Sequence, residues 1–390
     1  MEYIDDIKNN LKNVHQDEIE TLYSAIFPKD EKVGVYLEGE LGGRSLQALK
    51  IGTRPLSPEG ILVYSTGDCS APGKTVAGVF KAFHEKYGRD RSVYTCISGS
   101  GNSIGPYENS KNLTEEELHY NISLHLITSS PESAIGKIFK EYGGNIIQLK
   151  GRKTKAGTGK DYVRGGGLRE DEFELEATQG AQIISDGIVN KIKPEEFYGY
   201  YLIRLEDLDK LKETISELKE GEAYGRLLEC LADPVKNVIS YGQSVSGEVA
   251  KMNNTRLGHI RPLTMHKIGL EPNQGISIGA NQNYVLSESS TPNFRKNTTF
   301  LCISQSGTGM VNKHIKDARN AGAEYFAITR EGNFPEERTL RLYDAQNFYP
   351  NSCILLSNIL MDLGIDLVES GVEISDEVLR GFHVKDKLSE

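Results

Sequence analysis

The sequence lacks several features that mark specialised protein classes. Its 390 residues contain no apolar run near the roughly 18 residues that a membrane span needs. Its acidic start, MEYIDDIKNNLKN, lacks the apolar stretch of a signal peptide. It also has no excess of basic residues, because its 45 Lys and Arg are outnumbered by 55 Asp and Glu, which gives a net charge of −10. We therefore expect a cytoplasmic protein that binds neither membranes nor nucleic acid.

Cysteine is scarce and unpaired in the sequence. The five cysteines are widely spaced and form no C-x-x-C pair. An odd number at such spacings suits a reducing compartment and predicts no zinc site. The histidines show no ligand spacing either, so we predict no metal site.

The stretch ILVYSTGDCSAPGKTVAGVFKAF, residues 61–83, is close to a nucleotide-binding P-loop but does not match it. A P-loop has two glycines separated by four residues, followed by Lys and Ser or Thr. Here Gly67 and Gly73 are separated by five residues, and Pro72 removes one N–H from the phosphate cradle. The better interpretation is a loop in which Lys74 and Thr75 open a helix.

One pattern occurs twice along the chain. TCISGSGNS (95–103) and LCISQSGTG (301–309) share Cys-Ile-Ser-x-Ser-Gly after an apolar strand. The flanking stretches also match in pairs, 64–72 with 284–292 and 124–130 with 325–331. The second copy lacks Gly-Lys-Thr, which argues further against a P-loop. The repeat predicts two domains of one architecture, 1–205 and 206–390.

Each half alternates short apolar strands with amphipathic helices. This alternation predicts the α/β class, with two doubly wound parallel sheets of flavodoxin or Rossmann type in αβα sandwiches. Ligands of such sheets bind outside the carboxyl ends of the strands, and both Ser-rich loops lie there.

Both loops carry hydroxyls and glycine amides to the start of a helix. Unpaired amides and the helix dipole favour an anion there, although a single Ser-rich turn is equally well explained by a capping Ser. Because the pattern recurs, we predict two anion sites. The candidate residues are Ser98, Ser100, Ser103, Ser304, Ser306 and Thr308.

At these loops the chain resembles the sugar isomerase (SIS) domain family, whose signature is a strand ending in Ser-x-Ser-Gly-x-Ser/Thr. It is similar to the 6-phospho-3-hexuloisomerases in particular. The resemblance covers most of both halves and includes GGRS (42–45), SGEVAK (246–251), TRLGH (255–259), SESSTPNFRK (287–296), FELEATQGAQIISDGIV (173–189) and ISDEVLRGFHVKDKL (374–388). It implies two fused SIS-like domains, because family members of that type are single-domain subunits that associate.

The resemblance implies isomerisation between an aldose and a ketose. Such enzymes move a proton between adjacent carbons through an enediol, which needs a carboxylate base, a group acting on the sugar oxygens and a fixed phosphate. No cofactor is required. The expected partner is a small sugar phosphate or sugar sulfonate, and the expected assembly is a homodimer.

The halves differ where this chemistry would lie. The first half keeps Arg44 and Ser45 for substrate binding, and its Glu174 matches the proposed base of the family. The corresponding positions of the second half, together with the last hydroxyl of its loop, hold Val245, Tyr349 and Gly309.

The second half in turn supplies two candidate histidines. His259 lies in RLGH, and His383 matches a family histidine before the final turn; the first half has Tyr201 near the latter position. We therefore predict a composite site with Glu174, His383 and His259 as catalytic residues.

Two other functions fit parts of the pattern. A non-catalytic phosphosugar sensor would keep the hydroxyl loops without an acid/base pair. An amidotransferase-type or deaminating relative would need an N-terminal Cys nucleophile, which this sequence does not show.

Overall fold

The computed structural model describes residues 2–41, 43–68, 70–72, 75–115, 121–150, 158–163, 170–271, 282–287, 290–375 and 378. The described strands are β1 (Val33–Glu38), β2 (Leu62–Ser65), β3 (Arg91–Ile97), β4 (Ile122–Thr128), β5 (Asn145–Gln148), β6 (Asn237–Tyr241), β7 (Asn283–Leu286), β8 (Thr298–Ile303), β9 (Glu324–Thr329) and β10 (Thr339–Arg341). Most central strands are buried along their whole length, which is why they read as continuous apolar runs.

Helices separate most of the strands. The described helices are α1 (Glu2–Lys12), α2 (Gln16–Ile26), α3 (Arg44–Gly52), α4 (Val76–Glu85), α5 (Ile104–Glu115), α6 (Ala134–Glu141), α7 (Gly159–Tyr162), α8 (Glu170–Val189), α9 (Pro194–Leu205), α10 (Asp207–Glu220), α11 (Glu222–Ala232), α12 (Val245–Ile260), α13 (Met310–Asn320) and α14 (Phe348–Glu369). Short 3-10 helices cover Arg54–Glu59, Arg261–Ile268 and Glu336–Arg338.

The strands form two parallel five-stranded sheets with the same order. The first runs β2-β1-β3-β4-β5 and the second β7-β6-β8-β9-β10. The register also repeats, because Glu38 pairs with Cys96 in the first sheet and Tyr241 with Cys302 in the second. This is the flavodoxin-like order, whose ligand crevice lies where the strand order reverses, between the first and third strands. The predicted fold class, two α/β sandwiches, is confirmed.

Four helices fill the space between the two sheets. Helices α3 and α8 of the first half pack against each other and against α12 and α14 of the second. One apolar core therefore spans both halves, with separate small clusters on the two outer sheet faces. The outer face of the first sheet is covered by α4, α5 and α6, whereas the described residues supply only α13 on that of the second.

The predicted boundary at residue 205 falls at the end of a helix, where Glu206 alone separates α9 from α10. Contacts cross this junction. Arg204, which pairs with Asp186 of its own half at 3.2 Å, also donates to Asn347 of the second half, the residue before α14, at 2.9 Å. Tyr3 of α1 donates to the Ile354 carbonyl of α14 at 2.9 Å. The division into domains stays a prediction, since the halves share these contacts and one core.

Helix α14 is an internal helix of this core. It is the one helix in the described part of the chain that is long and apolar enough to cross a membrane, and 67% of its most apolar stretch is buried inside the fold.

Helices α3 and α8 approach very closely at Gly52. A Cβ on Gly52 would lie 2.5 Å from the Cβ of Ala181 and 2.8 Å from the carbonyl oxygen of Thr178. These distances are too short for any side chain, so the helices can touch only because residue 52 is glycine. About two turns nearer their starts, Ser45 of α3 hydrogen-bonds Glu174 of α8. The two contacts show that the helices run parallel in a fixed register.

We predict that Gly52→Ala destabilises the protein by about 1 to 3 kcal/mol, because the added methyl group overpacks this contact. The melting temperature in a thermal unfolding scan tests it. Gly225→Ala is the matched control, since a Cβ at Gly225 meets no atom within 4 Å and helix propensity favours alanine there. Equal melting temperatures for the two variants would contradict the α3–α8 register.

Candidate active site

The Ser98–Ser103 loop connects β3 to α5 and is held by its own polar groups. The Gly101 amide donates to Ser98 Oγ at 3.1 Å, and Asn102 Oδ1 accepts the Ala134 amide at 3.1 Å at the start of α6. Gly101 has φ +65°, and a Cβ there would lie 1.9 Å from Ser133 Oγ. Only glycine fits this turn.

The second loop, Ser304–Gly309, connects β8 to α13 and folds in the same way. Its Gly307 amide donates to Ser304 Oγ at 3.2 Å, with φ +63° at the glycine. The hydroxyls of Ser306 and Thr308 lie 2.9 Å apart and are exposed. The first Ser of each loop therefore accepts an amide within the turn. In the first loop Ser98 Oγ also lies 3.2 Å from Ser103 Oγ, so its hydroxyl has a second partner there.

The two loops differ in the charges around them. In the first half Ser103 Oγ donates to Glu40 Oε2 at 3.4 Å, so a carboxylate stands beside the loop. In the second half an open cavity of about 410 Å³ is lined by the loop, Ser246, Tyr349 and the cation Arg330. Arg330 also forms an ion pair with Glu331. The second loop therefore has a guanidinium nearby, a group that binds phosphates, although this cation already has a carboxylate partner.

Glu174 is a buried carboxyl in α8, held by a residue at the start of α3. It is 6% exposed, and Ser45 Oγ donates to its Oε1 at 3.1 Å. Its Oε2 has no hydrogen-bond partner among the residues that the structure describes. The structure thus brings together two predicted site residues, Ser45 and Glu174, with Arg44 beside them at the first position of α3. One carboxylate oxygen is thus oriented by Ser45, and the other is buried without a partner among the described residues.

Glu38 is a second buried carboxyl, which the sequence analysis missed. It ends β1 and is 0% exposed. It accepts hydrogen bonds from Thr66 Oγ1 at 2.9 Å, Asn109 Nδ2 at 3.0 Å and the Gly39 amide at 3.1 Å. Burial raises its pKa to about 7, although these three donors favour the ionised form. It lies directly before the loop that leads to α3, the helix that begins with Arg44 and Ser45.

The histidine predictions remain untested. His259 is buried in the last turn of α12, a helix that packs against α3, and its approach to Glu174 stays a prediction. His383 lies outside the described residues. No group of three His, Cys, Asp or Glu side chains that could hold a metal ion occurs in the ranges that the structure describes.

Part of the P-loop question is answered by Thr75. This residue caps α4, because its Oγ1 accepts the Gly78 amide at 3.1 Å. The predicted helix-opening role of Thr75 is confirmed, whereas Gly73 and Lys74 lie outside the described residues.

Arg330 is the other residue that the sequence analysis missed. The matched stretches ITSS and ITRE already place Arg330 opposite Ser129, so a signal existed in the repeat itself. For Glu38 the signal was weaker, because an acid at a strand end is usually exposed and nothing in the sequence reports its burial.

Solved structures share this architecture across almost the whole chain. The C-terminal domain of glucosamine-fructose-6-phosphate aminotransferase from Francisella tularensis is 13% identical with a TM-score of 0.56, covering 95% of this chain and 94% of that one. Tagatose-6-phosphate ketose/aldose isomerase from Escherichia coli is 12% identical with a TM-score of 0.53, covering 95% and 92%. The fold that the resemblance implied, with two parallel α/β sheets flanked by helices, is thus present. At such identities the likeness shows the fold alone, and function has to be argued from the site.

No protein-family model and no curated protein sequence matches this chain.

The raised pKa of Glu38 predicts a pH-dependent stability. The unfolded carboxyl ionises near its ordinary 4.5 and the folded one near 7, so ionisation opposes folding increasingly between these values and fully above them. We expect Glu38→Gln to gain up to about 3 kcal/mol relative to the parent between pH 4.5 and pH 8. Urea unfolding midpoints at both pH values measure the difference.

The exposed Glu217 provides the control, because Glu217→Gln should show no such change with pH. A Glu38→Gln difference that is constant across this range would mean that Glu38 ionises normally in the folded protein.

Proposed function

We propose that the protein is a phosphosugar aldose–ketose isomerase whose catalytic base is Glu174. The observation that carries the proposal is the state of this carboxyl, which is buried, is held through Oε1 by Ser45 and has no partner for Oε2 among the described residues. A carboxylate fixed in this way suits removal of a carbon-bound proton, because its reacting oxygen is aimed before the substrate arrives.

The reaction uses only proton transfers. Glu174 Oε2 takes the proton from the carbon next to the sugar carbonyl, and the electron pair of that C–H bond forms the enediolate. The same carboxyl then returns the proton to the neighbouring carbon, which moves the carbonyl by one position. A second group must shift a proton between the two sugar oxygens, and His383 or His259 would serve, since imidazole titrates near neutrality.

The Ser-rich loop of the first half would hold the terminal phosphate or sulfonate. Its amides lie at the start of α5, where the helix dipole favours an anion. Contacts join this loop to the base, since Ser103 reaches Glu40 and the Glu40 carbonyl accepts the Gly43 amide just before Arg44. The names of the two similar solved structures refer to phosphosugars, which supports a substrate of that class.

The second half supports a binding function without turnover. Its cavity combines Ser306, Thr308 and Arg330 with Tyr349, which corresponds to the base Glu174. A tyrosine at that position binds through its hydroxyl and lacks the carboxylate that the proton transfer needs. This observation favours the alternative function, a phosphosugar sensor, for this half.

Replacing the base provides the direct test. Glu174→Gln keeps the size and the Ser45 hydrogen bond, so we expect sugar-phosphate binding to persist while kcat falls by about 100-fold or more. Isomerisation of the sugars that raise the melting temperature in a ligand screen is the measurement. The exposed Glu196 at the start of α9 offers the control, Glu196→Gln, which should keep the parent rate.

Parent turnover in Glu174→Gln would place the base elsewhere. Binding without isomerisation of any sugar in the parent protein would instead favour the sensor.

A matched pair of serine variants locates the substrate anion. Ser100→Ala removes a hydroxyl from the first loop and should weaken sugar-phosphate binding during turnover by about 1 to 3 kcal/mol, which appears as a raised KM. Ser306→Ala makes the corresponding change in the second loop and should raise KM less. The reverse order would place the reacting sugar in the second half.

A further inference from the structure

A cleft of about 640 Å³ lies between the two halves, apart from both Ser-rich loops. The first half contributes the carboxyl ends of β1 and β2, the end of α3 and the 3-10 helix Arg54–Glu59. The second half contributes the ends of β6 and β7 and the first turns of α12. The carboxyl ends of two parallel sheets therefore face one space, which is the position where such sheets bind ligands.

Two cations on the first-half wall of this cleft have no partner among the described residues. Lys50 lies in the last turn of α3, and Arg54 begins the 3-10 helix. Neither forms a hydrogen bond or an ion pair with any residue in the part of the chain that the structure describes. An anion entering the cleft would meet both without displacing a described carboxylate.

The acidic groups of the cleft are already engaged. Asp68 accepts both the amide of Ser70, at 2.9 Å, and its hydroxyl, at 2.7 Å. Glu248 pairs with Lys251 at 2.9 Å. Lys251 thus neutralises Glu248, whereas Asp68 keeps its charge, and the two cations Lys50 and Arg54 leave the described wall with an excess of positive charge.

The remaining lining is divided between apolar and hydroxyl groups. The strand ends supply four aliphatic side chains, Leu37, Val63, Val285 and Leu286. Serine hydroxyls from both halves, at Ser57, Ser65 and Ser287, also line the cleft.

We infer that this cleft binds a nucleoside phosphate. Such a ligand has the three parts that the lining matches: a phosphate for Lys50 and Arg54, a ribose for the serine hydroxyls and a flat base for the aliphatic strand ends. A sugar phosphate lacks a group for the aliphatic surface, so it fits this cleft less well. The site is distinct from the proposed isomerase pocket, but α3 connects them, since that helix carries Ser45 at its start and Lys50 in its last turn.

The cleft includes only the first part of the P-loop-like stretch, since Val63, Tyr64, Ser65, Gly67 and Asp68 line it. Neither Thr75 nor any residue of α4 belongs to this lining, and Thr75 caps that helix. Because the inference assigns the phosphate to Lys50 and Arg54, we expect nucleotide binding not to depend on Lys74.

Isothermal titration of the full chain with AMP and ADP, without magnesium, tests the inference. We expect saturable binding of one nucleotide per chain, and weaker binding of ribose 5-phosphate, which lacks the base, and of pyrophosphate, which lacks both the ribose and the base. The double variant Lys50→Gln/Arg54→Gln should weaken AMP binding by about 10-fold or more. Thermal unfolding of the variant checks that it folds.

Two control variants complete the experiment. Lys81→Gln/Arg319→Gln removes the same charge from helices α4 and α13, outside the cleft, and should bind AMP as the parent does. Lys74→Ala should also bind normally. The inference is overturned if AMP and ADP fail to bind the parent, if the Lys50/Arg54 variant binds as well as the parent, if ribose 5-phosphate binds as tightly as AMP, or if Lys74→Ala abolishes binding.

Discussion

The parallel contact between α3 and α8 is the constraint on which the candidate active site depends. At Gly52 the helices approach so closely that no side chain fits between them, and this fixes their register. The same register places the Ser45 hydroxyl 3.1 Å from the Glu174 carboxylate two turns away. A shift of either helix by one residue would rotate these side chains by about 100° and separate them. Packing that is itself apolar thus sets the geometry of the polar site.

The two halves show how one fold can host two different electrostatic environments. Their loops share the amide-to-serine hydrogen bond and the left-handed glycine, so the backbone is the same. The side chains around them differ, with Glu40 beside the first loop and Arg330 beside the second. Burial acts on the first half as well, since Glu38 reaches a pKa of about 7 at the end of β1. The first half therefore has buried carboxyls near its loop, whereas the second has a cation beside its loop.

The sequence predicted the fold well because its signals were local and repeated. Strand-like apolar runs, helical spacing and Ser-x-Ser-Gly turns are set by neighbouring residues, and the duplication showed each of them twice. The sequence did not reveal Glu38 because its raised pKa arises from burial by the whole fold, and the donors that oppose this rise, Thr66 and Asn109, are distant in sequence. The sequence did not reveal Arg330 as a site residue, because its role depends on which side chains line the same cavity. The hydrogen bond between Ser45 and Glu174 was predicted in part. The resemblance identified both residues as site residues, but only the structure shows that helix packing brings them together.

Because one chain contains both sheets, the two sites need not have identical residues. In an assembly of two identical subunits every substitution occurs at both copies of a site, so a tyrosine in place of the base would disable both. Here Tyr349 and Glu174 are encoded separately, and one pocket can change while the other keeps its chemistry. The covalent link also keeps the halves at a high effective concentration, so their contact does not depend on dilution. Substitutions at the site of one half therefore do not require the same substitutions in the other half, although both halves share one core.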